Sequence, residues 1–361
     1  MLTFFRWLGR VLLALLVIAL IAIGAGLWKF EQARKAKLAA LDAGSKLVET
    51  AAGPVEYTEL GSGPAVLVCH GAPGGYDQAA LLGGALAKAG FRVIAPSRPG
   101  FLRTPLATGL LFEDQADALA ALLDKLGIKQ AAVLGWATGT PVAVDFALRH
   151  ADRTTALVLV SPVTKPYQRD PNAEPRQLLA DAALFKTTGD MGAWLFLNQA
   201  QRDPRGMLDA VLASDTTLDA AARAKQIDAV LADPAQLGFF RALLGTQTPL
   251  SPRETGTRND LLQLRVPAPL AYEKIHAPTL LVHGSAEAAS PWTDVQEITA
   301  KLPAAKVLTV KDAGSIVWLG AGASAMQQAV IDFLKSPPPL PSPTPTSTPN
   351  PAPATSPTPT P

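Results

Sequence analysis

The chain has 361 residues, a net charge of +2 and an apolar fraction of 48%. This length suits one large α/β domain with attachments, and the apolar fraction is enough for a sizeable core. The near-neutral charge provides no basic surface, so no nucleic-acid partner is expected. The single cysteine, Cys69, excludes a disulfide framework and a cysteine metal site, and we expect it to be buried in a strand.

The N-terminal segment 11–28 contains no charged residue. Trp7 and Trp28 bracket it, about 31 Å apart at roughly 1.5 Å per helical residue, which matches a bilayer core with aromatic residues at both interfaces. We predict an uncleaved membrane anchor, because the apolar run is long for a signal peptide, which is the alternative. Basic residues flank both ends of the segment, so they leave its orientation open.

The order of elements after residue 45 predicts an α/β domain with a doubly wound, mostly parallel sheet. Residues 163–275 interrupt the alternation of strands and helices with helical patterns such as 176–186 and 217–232, which predict an inserted helical cap. The predicted strands are 46–50, 55–60, 65–69, 92–95, 131–134, 156–160, 279–282 and 306–310, and the predicted core helices are 79–89, 113–126, 292–301 and 323–335.

Residues 336–361 are almost entirely Pro, Ser and Thr. Such a segment cannot bury a core and is expected to be extended, largely as polyproline II. It suits an exposed, O-glycosylated stalk or an inert disordered tail. We therefore expect the soluble domain to lie outside the cytoplasm. The predicted division is an anchor and short charged helix or stalk over 1–45, a folded domain over 46–335, and the tail.

A strand, a glycine turn and a helix follow one another over residues 131–148. Residues 135–139 read GWATG, which has the spacing of the nucleophile elbow G-x-S-x-G. In that motif a serine sits in a strained turn between small neighbours. Here Ala137 stands at the centre, and we expect it to keep the strained backbone. A strand-to-helix turn in some other α/β protein is the alternative interpretation.

The domain resembles the α/β-hydrolase family over most of residues 46–335. Residues 70–75, HGAPGG, resemble the family's oxyanion loop and lack the Gly-Lys-Ser/Thr ending of a P-loop. The resemblance implies that the backbone N–H groups of Ala72 and Thr138 line an oxyanion hole. It also implies pocket or loop positions at His70, Gly71, Gly74, Gly75 and Trp136.

The same resemblance places the other two members of a catalytic triad. The family's acid follows the strand after the cap, where Glu287 stands, and the family's histidine follows the last strand, where Ser315 stands. The triad-equivalent positions therefore read Ala137, Glu287 and Ser315, without a nucleophile or a base. No cofactor is expected, and no metal, because the His, Asp and Glu residues show no ligand spacing.

The remaining histidines offer no obvious replacement base. We expect His150 to be exposed at a helix end, His276 to lie where the cap ends, and His283 to be structural at the end of a strand. His70 is expected to shape the oxyanion loop.

The leading interpretation is a membrane-anchored, catalytically inactive hydrolase-like protein that keeps a pocket for a small apolar ligand. One alternative is a working hydrolase of small esters or amides with an unidentified nucleophile. The other is a structural surface protein. The sequence leaves the question of a protein partner open.

Overall fold

The structure is a computed structural model that describes residues 2–164, 175–266, 270–302 and 305–338. Its first helix, α1 (Leu2–Ala43), is a single continuous element of 42 residues. By length and hydropathy this helix could cross a membrane, and none of its most apolar window is buried. The predicted Pro-rich tail lies outside the described residues from position 339 onward.

The described residues contain eight strands in one sheet. The predicted candidate site residues lie at the carboxyl ends of the parallel strands or in the loops that follow them. The predicted strand ends differ from the observed ones by at most two residues. The strands are β1 (Lys46–Thr50), β2 (Gly53–Leu60), β3 (Ala65–Cys69), β4 (Arg92–Pro96), β5 (Ala131–Trp136), β6 (Thr154–Val160), β7 (Thr279–Gly284) and β8 (Lys306–Val310).

The strand order is β1-β2-β4-β3-β5-β6-β7-β8. Strand β2 is antiparallel to both β1 and β4, and all other neighbours are parallel. Every residue of β5 is buried. A parallel strand covered on both faces needs apolar residues without alternation, which is why β3 and β5 read as continuous apolar runs. The predicted mostly parallel, doubly wound sheet is confirmed.

Helices cover both faces of the sheet and form two separate cores. One face packs on α2 (Tyr76–Lys88) and α11 (Ala323–Lys335). The other face packs on α3 (Phe112–Lys125) and α4 (Thr140–Arg149). Helix α10 (Trp292–Lys301) follows β7. This arrangement brings the carboxyl ends of β3, β5, β6 and β7 to one edge, where ligands bind in open α/β sheets.

The inserted region is helical in its described part. Asp203, Asp219 and Asp233 each accept a hydrogen bond from a backbone N–H in the first turn of the helix that follows, which explains where these helices begin. The cap helices are α5 (Pro175–Arg202), α6 (Pro204–Asp215), α7 (Ala220–Ala232), α8 (Pro234–Gly245) and α9 (Glu254–Arg265).

The end of α1 is packed against the domain. The predicted short charged helix after residue 28 is helical, but it continues the apolar helix without a break. Leu41 is buried, and its carbonyl accepts a hydrogen bond of 2.7 Å from the hydroxyl of Tyr76. Arg34 forms an ion pair with Asp190 of the cap, with 2.8 Å between Nε and Oδ2. Residues 30–43 are therefore part of the folded unit and not a free stalk.

Candidate functional site

The turn between β5 and α4 has the backbone of a nucleophile elbow. Ala137 has φ of 48°, in the left-handed region that costs a non-glycine L-residue roughly 1–2 kcal/mol. The expected strained backbone at this position is confirmed. The Ala137 side chain is a half-buried methyl group, so the turn displays no nucleophile.

Two glycines allow this turn to lie close to its neighbours. A Cβ on Gly139 would collide with the carbonyl oxygens of Cys69 and His70 at the end of β3. A Cβ on Gly135 would lie 2.8 Å from the Cβ of Ala143 in α4. The spacing of Gly135 and Gly139 thus reflects tight packing between β5, α4 and the 70–75 loop, which holds Ala137 in its conformation without any need for a serine.

A carboxylate from the cap contacts Ser315, the residue at the predicted histidine position. The hydroxyl of Ser315 donates a hydrogen bond of 2.5 Å to Oδ1 of Asp215, the last residue of α6. The backbone N–H of Ile316 donates to the other oxygen, Oδ2, at 3.3 Å. Sequence reasoning did not find Asp215, because nothing in the local pattern of the cap marks it.

Asp215 is held there by backbone pairing between the cap and the loop after β7. Thr216 and Glu287 form an antiparallel bridge, and the N–H of Ala288 donates to the Asp215 carbonyl at 3.1 Å. The N–H of Thr217 donates to the carbonyl of Ala286 at 2.8 Å. The acid loop, residues 285–291 after β7, therefore positions the Asp215 carboxylate beside Ser315.

Glu287, at the predicted acid position, faces a different partner. Its Oε2 lies 3.2 Å from Nδ1 of His283, and both side chains are buried. This distance fits an ion pair, but neither atom makes a hydrogen bond of good geometry. The structure therefore does not bring Glu287 to Ser315; Asp215 is the carboxylate that contacts Ser315.

The imidazole of His70 is fixed inside the oxyanion-type loop. Its Nε2 accepts a hydrogen bond of 2.9 Å from the backbone N–H of Arg98, so Nδ1 carries the proton and donates to the Gly71 carbonyl at 2.7 Å. Burial, and then the charge of Arg98, hold the pKa of His70 well below its usual value. Because both ring nitrogens are occupied and the ring stays neutral, His70 supports the loop and is not available as a base.

Arg98 joins the oxyanion-type loop, the elbow and the cap. It is fully buried, and its guanidinium forms an ion pair with the fully buried Asp260 of α9. Its Nε donates to the carbonyl of His70 at 2.9 Å, and its Nη2 donates to the hydroxyl of Thr138 at 3.3 Å. A second buried arginine, Arg253, donates to the carbonyl of Gly74 at 2.7 Å. Sequence reasoning missed both arginines.

The hydroxyls around the elbow all have partners other than an imidazole among the described residues. Thr140 donates to the carbonyl of Ala137 at 2.7 Å, and Ser161 donates to the carbonyl of Ser315 at 3.1 Å. Thr138 accepts from Arg98, as described above. A hydroxyl needs an adjacent base to become a strong nucleophile, and the geometry provides none for these groups.

Comparison with known proteins identifies the fold. The family model described as the alpha/beta hydrolase fold matches residues 64–319, which include the elbow, the cap and the acid loop. The chain belongs to the α/β hydrolase fold family. The match covers β3 to β8 and the carboxyl ends of β3, β5, β6 and β7, while β1, β2 and α11 lie outside it.

Individual relatives of this hydrolase-fold chain are hydrolases by name. It is 24% identical over 289 residues to the uncharacterized hydrolase YcgS of Bacillus subtilis, covering 79% of this chain and 96% of that protein. It is 29% identical over 241 residues to the pimeloyl-[acyl-carrier protein] methyl ester esterase of Aromatoleum aromaticum, covering 64% and 83% of the two chains. The α/β hydrolase fold protein from Nakamurella multipartita has a TM-score of 0.72, 29% identity, and coverage of 81% and 99%.

Aromatic side chains connect the elbow of this α/β hydrolase fold to its cap. Trp136 is buried, and its Nε1 donates to the carbonyl of Ser315 at 3.0 Å. Its ring meets Trp318 edge-on at 5.7 Å between centroids, and Trp318 stacks on Phe239 of α8 at 5.9 Å. Trp136 therefore lies in the core, with its ring against Trp318, which in turn contacts Phe239 of the cap. Its hydrogen bond helps to position the backbone of Ser315.

A cavity of about 490 Å³ lies beside α4, on the side away from Ala137 and Ser315. It follows the outer face of α4, where Asp145 and Leu148 line it, and extends to Tyr272 and α10. Burial, and then the charge of Glu113, raise the pKa of Asp145 to about 6. None of the triad-equivalent positions lines this cavity.

The other predicted side chains have structural positions. Cys69 is buried, as expected, and burial raises the pKa of its thiol to about 12. The expectation that His150 is exposed is wrong: its side chain is 22% exposed, with Nε2 2.9 Å from Asp117. His276 is exposed where the cap ends. His283 lies within β7, with its ring 5.8 Å from that of Trp292.

Proposed function

We propose that this α/β hydrolase fold protein is anchored to a membrane by α1 and is a pseudo-hydrolase that binds a ligand without serine-hydrolase chemistry. The observation that carries this proposal is Ala137, a methyl group in the left-handed backbone of the elbow, with φ of 48°. Without a nucleophile at that position, oxyanion donors can stabilise charge but cannot start acyl transfer.

The positions of the acid and the base support the same proposal. Ser315 has no group that titrates near neutral pH, and its hydroxyl is bonded to Asp215. Glu287 faces His283. Restoring a triad would therefore need new groups at two positions and would place the new base beside Asp215.

A small apolar ligand fits the chemistry of the half-buried elbow. Ala72, Pro73, Ala137 and Thr138 are each partly exposed, and they surround the turn where an active relative would hold its substrate. The methyl groups of the two alanines and the proline ring offer apolar contact, while the N–H groups of Ala72 and Thr138 are the donors that the family uses for an oxyanion. The expected occupant is a small neutral molecule with one carbonyl or hydroxyl group.

A fluorophosphonate probe tests the proposed lack of activity on the full chain in detergent. The probe labels only an activated nucleophile, so we expect no covalent adduct, while an active serine hydrolase added to the same sample reacts fully. Reaction of this chain, mapped to a peptide by mass spectrometry, would show a nucleophile and overturn the proposal.

A working hydrolase of small esters is the second candidate function, and the relatives named as hydrolases favour it. Turnover of short-chain aryl esters by the wild-type chain, retained in Thr138→Ala and Thr140→Ala, would support it. A structural surface protein is the third candidate. Absence of both turnover and small-molecule binding at the elbow would favour that one.

The same proposal includes an extracytoplasmic position for the domain, supported by the Ser/Thr/Pro composition of residues 336–361. Protease added outside intact cells should remove this tail. Complete protection of the tail in cells whose outer layer is permeable would reverse the orientation.

A further inference from the structure

A second cavity lies where α1 meets the cap, separate from the elbow. Its volume is about 180 Å³. Phe30, Ala33 and Lys37 of α1 line one side, and Trp194, Leu197 and Gly245 of the cap line the other. The rings of Phe30 and Trp194 are in edge-to-face contact at 5.8 Å between centroids, so they form one end of the cavity.

The position of the cavity along α1 relates it to the proposed membrane surface. Trp28 is 64% exposed and stands at the end of the apolar segment, where tryptophan marks the headgroup level of a bilayer. At 1.5 Å per residue, Phe30 lies about 3 Å beyond Trp28 and Lys37 about 13 Å beyond it. The aromatic end of the cavity therefore faces the bilayer, and the Lys37 end faces water.

Exposed apolar residues continue the same surface on the cap. Leu195 is 55% exposed and Phe196 is 40% exposed, directly after Trp194 in α5. Because α5 runs antiparallel to α1 at the contacts Arg34–Asp190 and Phe30–Trp194, the residues after Trp194 extend toward the bilayer side. The apolar lining of the cavity therefore continues onto exposed apolar side chains on the bilayer side.

The two cationic side chains that line this cavity, Arg34 and Lys37, differ in their ion pairing. Arg34 is neutralised by Asp190, at 2.8 Å. Lys37 is half-buried and forms no close ion pair with a described residue. Burial lowers the pKa of its ammonium; Asp77 acts in the opposite direction, but Asp77 is itself paired with Arg253 at 2.8 Å. A half-buried ammonium whose interacting carboxylate, Asp77, is already paired with Arg253 favours an anionic ligand group at the end of the cavity that faces water.

We propose that this cavity binds one long-chain fatty acid drawn from the bilayer, with its carboxylate at Lys37 and its chain passing Phe30 and Trp194 toward the membrane. A volume of about 180 Å³ has room for the carboxyl end of one alkyl chain and not for two chains side by side, so the rest of the chain extends along the exposed apolar residues toward the bilayer. Mostly apolar walls hold water poorly, so an alkyl chain is the favoured occupant. The inference rests on the anchoring of α1 proposed above, and it does not depend on whether the elbow is catalytic.

The test uses the full chain in phosphatidylcholine nanodiscs with a stearic acid that carries a diazirine on its chain. After irradiation, mass spectrometry should find adducts in residues 189–202 of α5, outside the membrane segment. Unlabelled stearate should compete, and stearyl alcohol, which lacks the carboxylate, should compete at least about tenfold more weakly.

Two variants and two matched controls make the assignment specific. A Cβ on Gly245 would meet no atom within 4 Å, so Gly245→Leu should fill the cavity without strain. Gly238 is an exposed glycine of the same helix that does not line the cavity, and a Cβ there would also meet no atom within 4 Å, so Gly238→Leu is the matched control. Gly245→Leu and Lys37→Gln should reduce labelling of α5 at least about fivefold, equivalent to roughly 1 kcal/mol of binding free energy. Gly238→Leu and Lys35→Gln should leave it unchanged.

Equal labelling of α5 in wild type and Gly245→Leu would overturn the proposal. Equal competition by stearate and stearyl alcohol, or unchanged labelling in Lys37→Gln, would overturn the assignment of a carboxylate. Labelling of α5 by a photoactivatable phosphatidylglycerol but not by the fatty acid would assign the site to a headgroup lipid instead. Failure of the chain to co-elute with nanodiscs would overturn the anchoring, which is a separate result from loss of the labelled site.

Discussion

The double variant Ala137→Ser, Ser315→His should gain esterase activity, and Asp215 should be the acid that orients its new imidazole. In the wild type the Ser315 hydroxyl lies 2.5 Å from Asp215 Oδ1. A hydrogen bond to a charged group contributes about 1.5–3 kcal/mol. A ring N–H at position 315 can donate to the same carboxylate, so most of this stabilisation should be kept.

The expected gain follows from the role of a positioned base. General-base assistance contributes about 10²–10⁴ in rate, which corresponds to roughly 2.7–5.5 kcal/mol of barrier. A misplacement of about 1 Å can cost roughly a hundredfold, so we expect the lower end of that range. Ala137→Ser alone should give little and Ser315→His alone nothing, because an unassisted hydroxyl is a weak nucleophile and a base without a nucleophile has no proton to take.

The assay is hydrolysis of p-nitrophenyl acetate by the full chain in detergent, with the two single variants as controls. Adding Asp215→Asn to the double variant should remove most of the gain, while adding Glu287→Gln should leave it. If Glu287→Gln removed the gain and Asp215→Asn left it, the assignment of Asp215 as the orienting acid would be refuted. A folded double variant no faster than Ala137→Ser would refute the view that the elbow has kept a competent geometry.

Three further predictions concern the stability of the domain. Asp260→Asn should lower the free energy of unfolding by about 3–5 kcal/mol in urea titrations, because it leaves the buried Arg98 charge unpaired; a loss below about 1 kcal/mol would contradict this. Burial raises the pKa of Asp145 to about 6, so the contribution of its protonation to stability is fully present below about pH 4 and is lost as pH rises through 6. Asp145→Asn should therefore raise Tm at pH 8 and change it little at pH 4, and an equal shift at both pH values would argue against the buried carboxylate. Ala137→Gly should stabilise the fold by up to about 1 kcal/mol, since it relieves a left-handed alanine at a smaller entropic cost. A clear loss of stability in that variant would show that the Ala137 methyl packs favourably.

The sequence predicted the parts of this fold that depend on short-range patterns. Continuous apolar runs identified the buried parallel strands, and α10, β8 and α11 begin and end where the patterns placed them. Gly135 and Gly139 also identified the elbow correctly, because close backbone approach leaves no room for a side chain at either position. Such requirements act within a few residues and are visible in the chain itself.

The partners of the site residues were beyond sequence reasoning. Asp215, Asp260 and Arg253 lie in the cap, and each contacts a loop far away in the chain. The docking of residues 30–43 on α5 is of the same kind. A charged residue in a helical cap is usually solvated, and only its tertiary neighbour distinguishes a buried ion pair from an exposed one.

By itself the sequence determined the strand and helix order and the strained backbone of Ala137 at the elbow, and it predicted that the family positions lack a nucleophile and a base. Those properties belong to single residues and to periodic runs, so they do not depend on distant contacts. Only the tertiary structure decided that Asp215 contacts Ser315 while Glu287 faces His283, and that α1 and the cap enclose a cavity beside the proposed membrane surface. The reason is physical: each of those arrangements requires backbone pairing or side-chain packing between segments that the fold brings together and the sequence keeps apart.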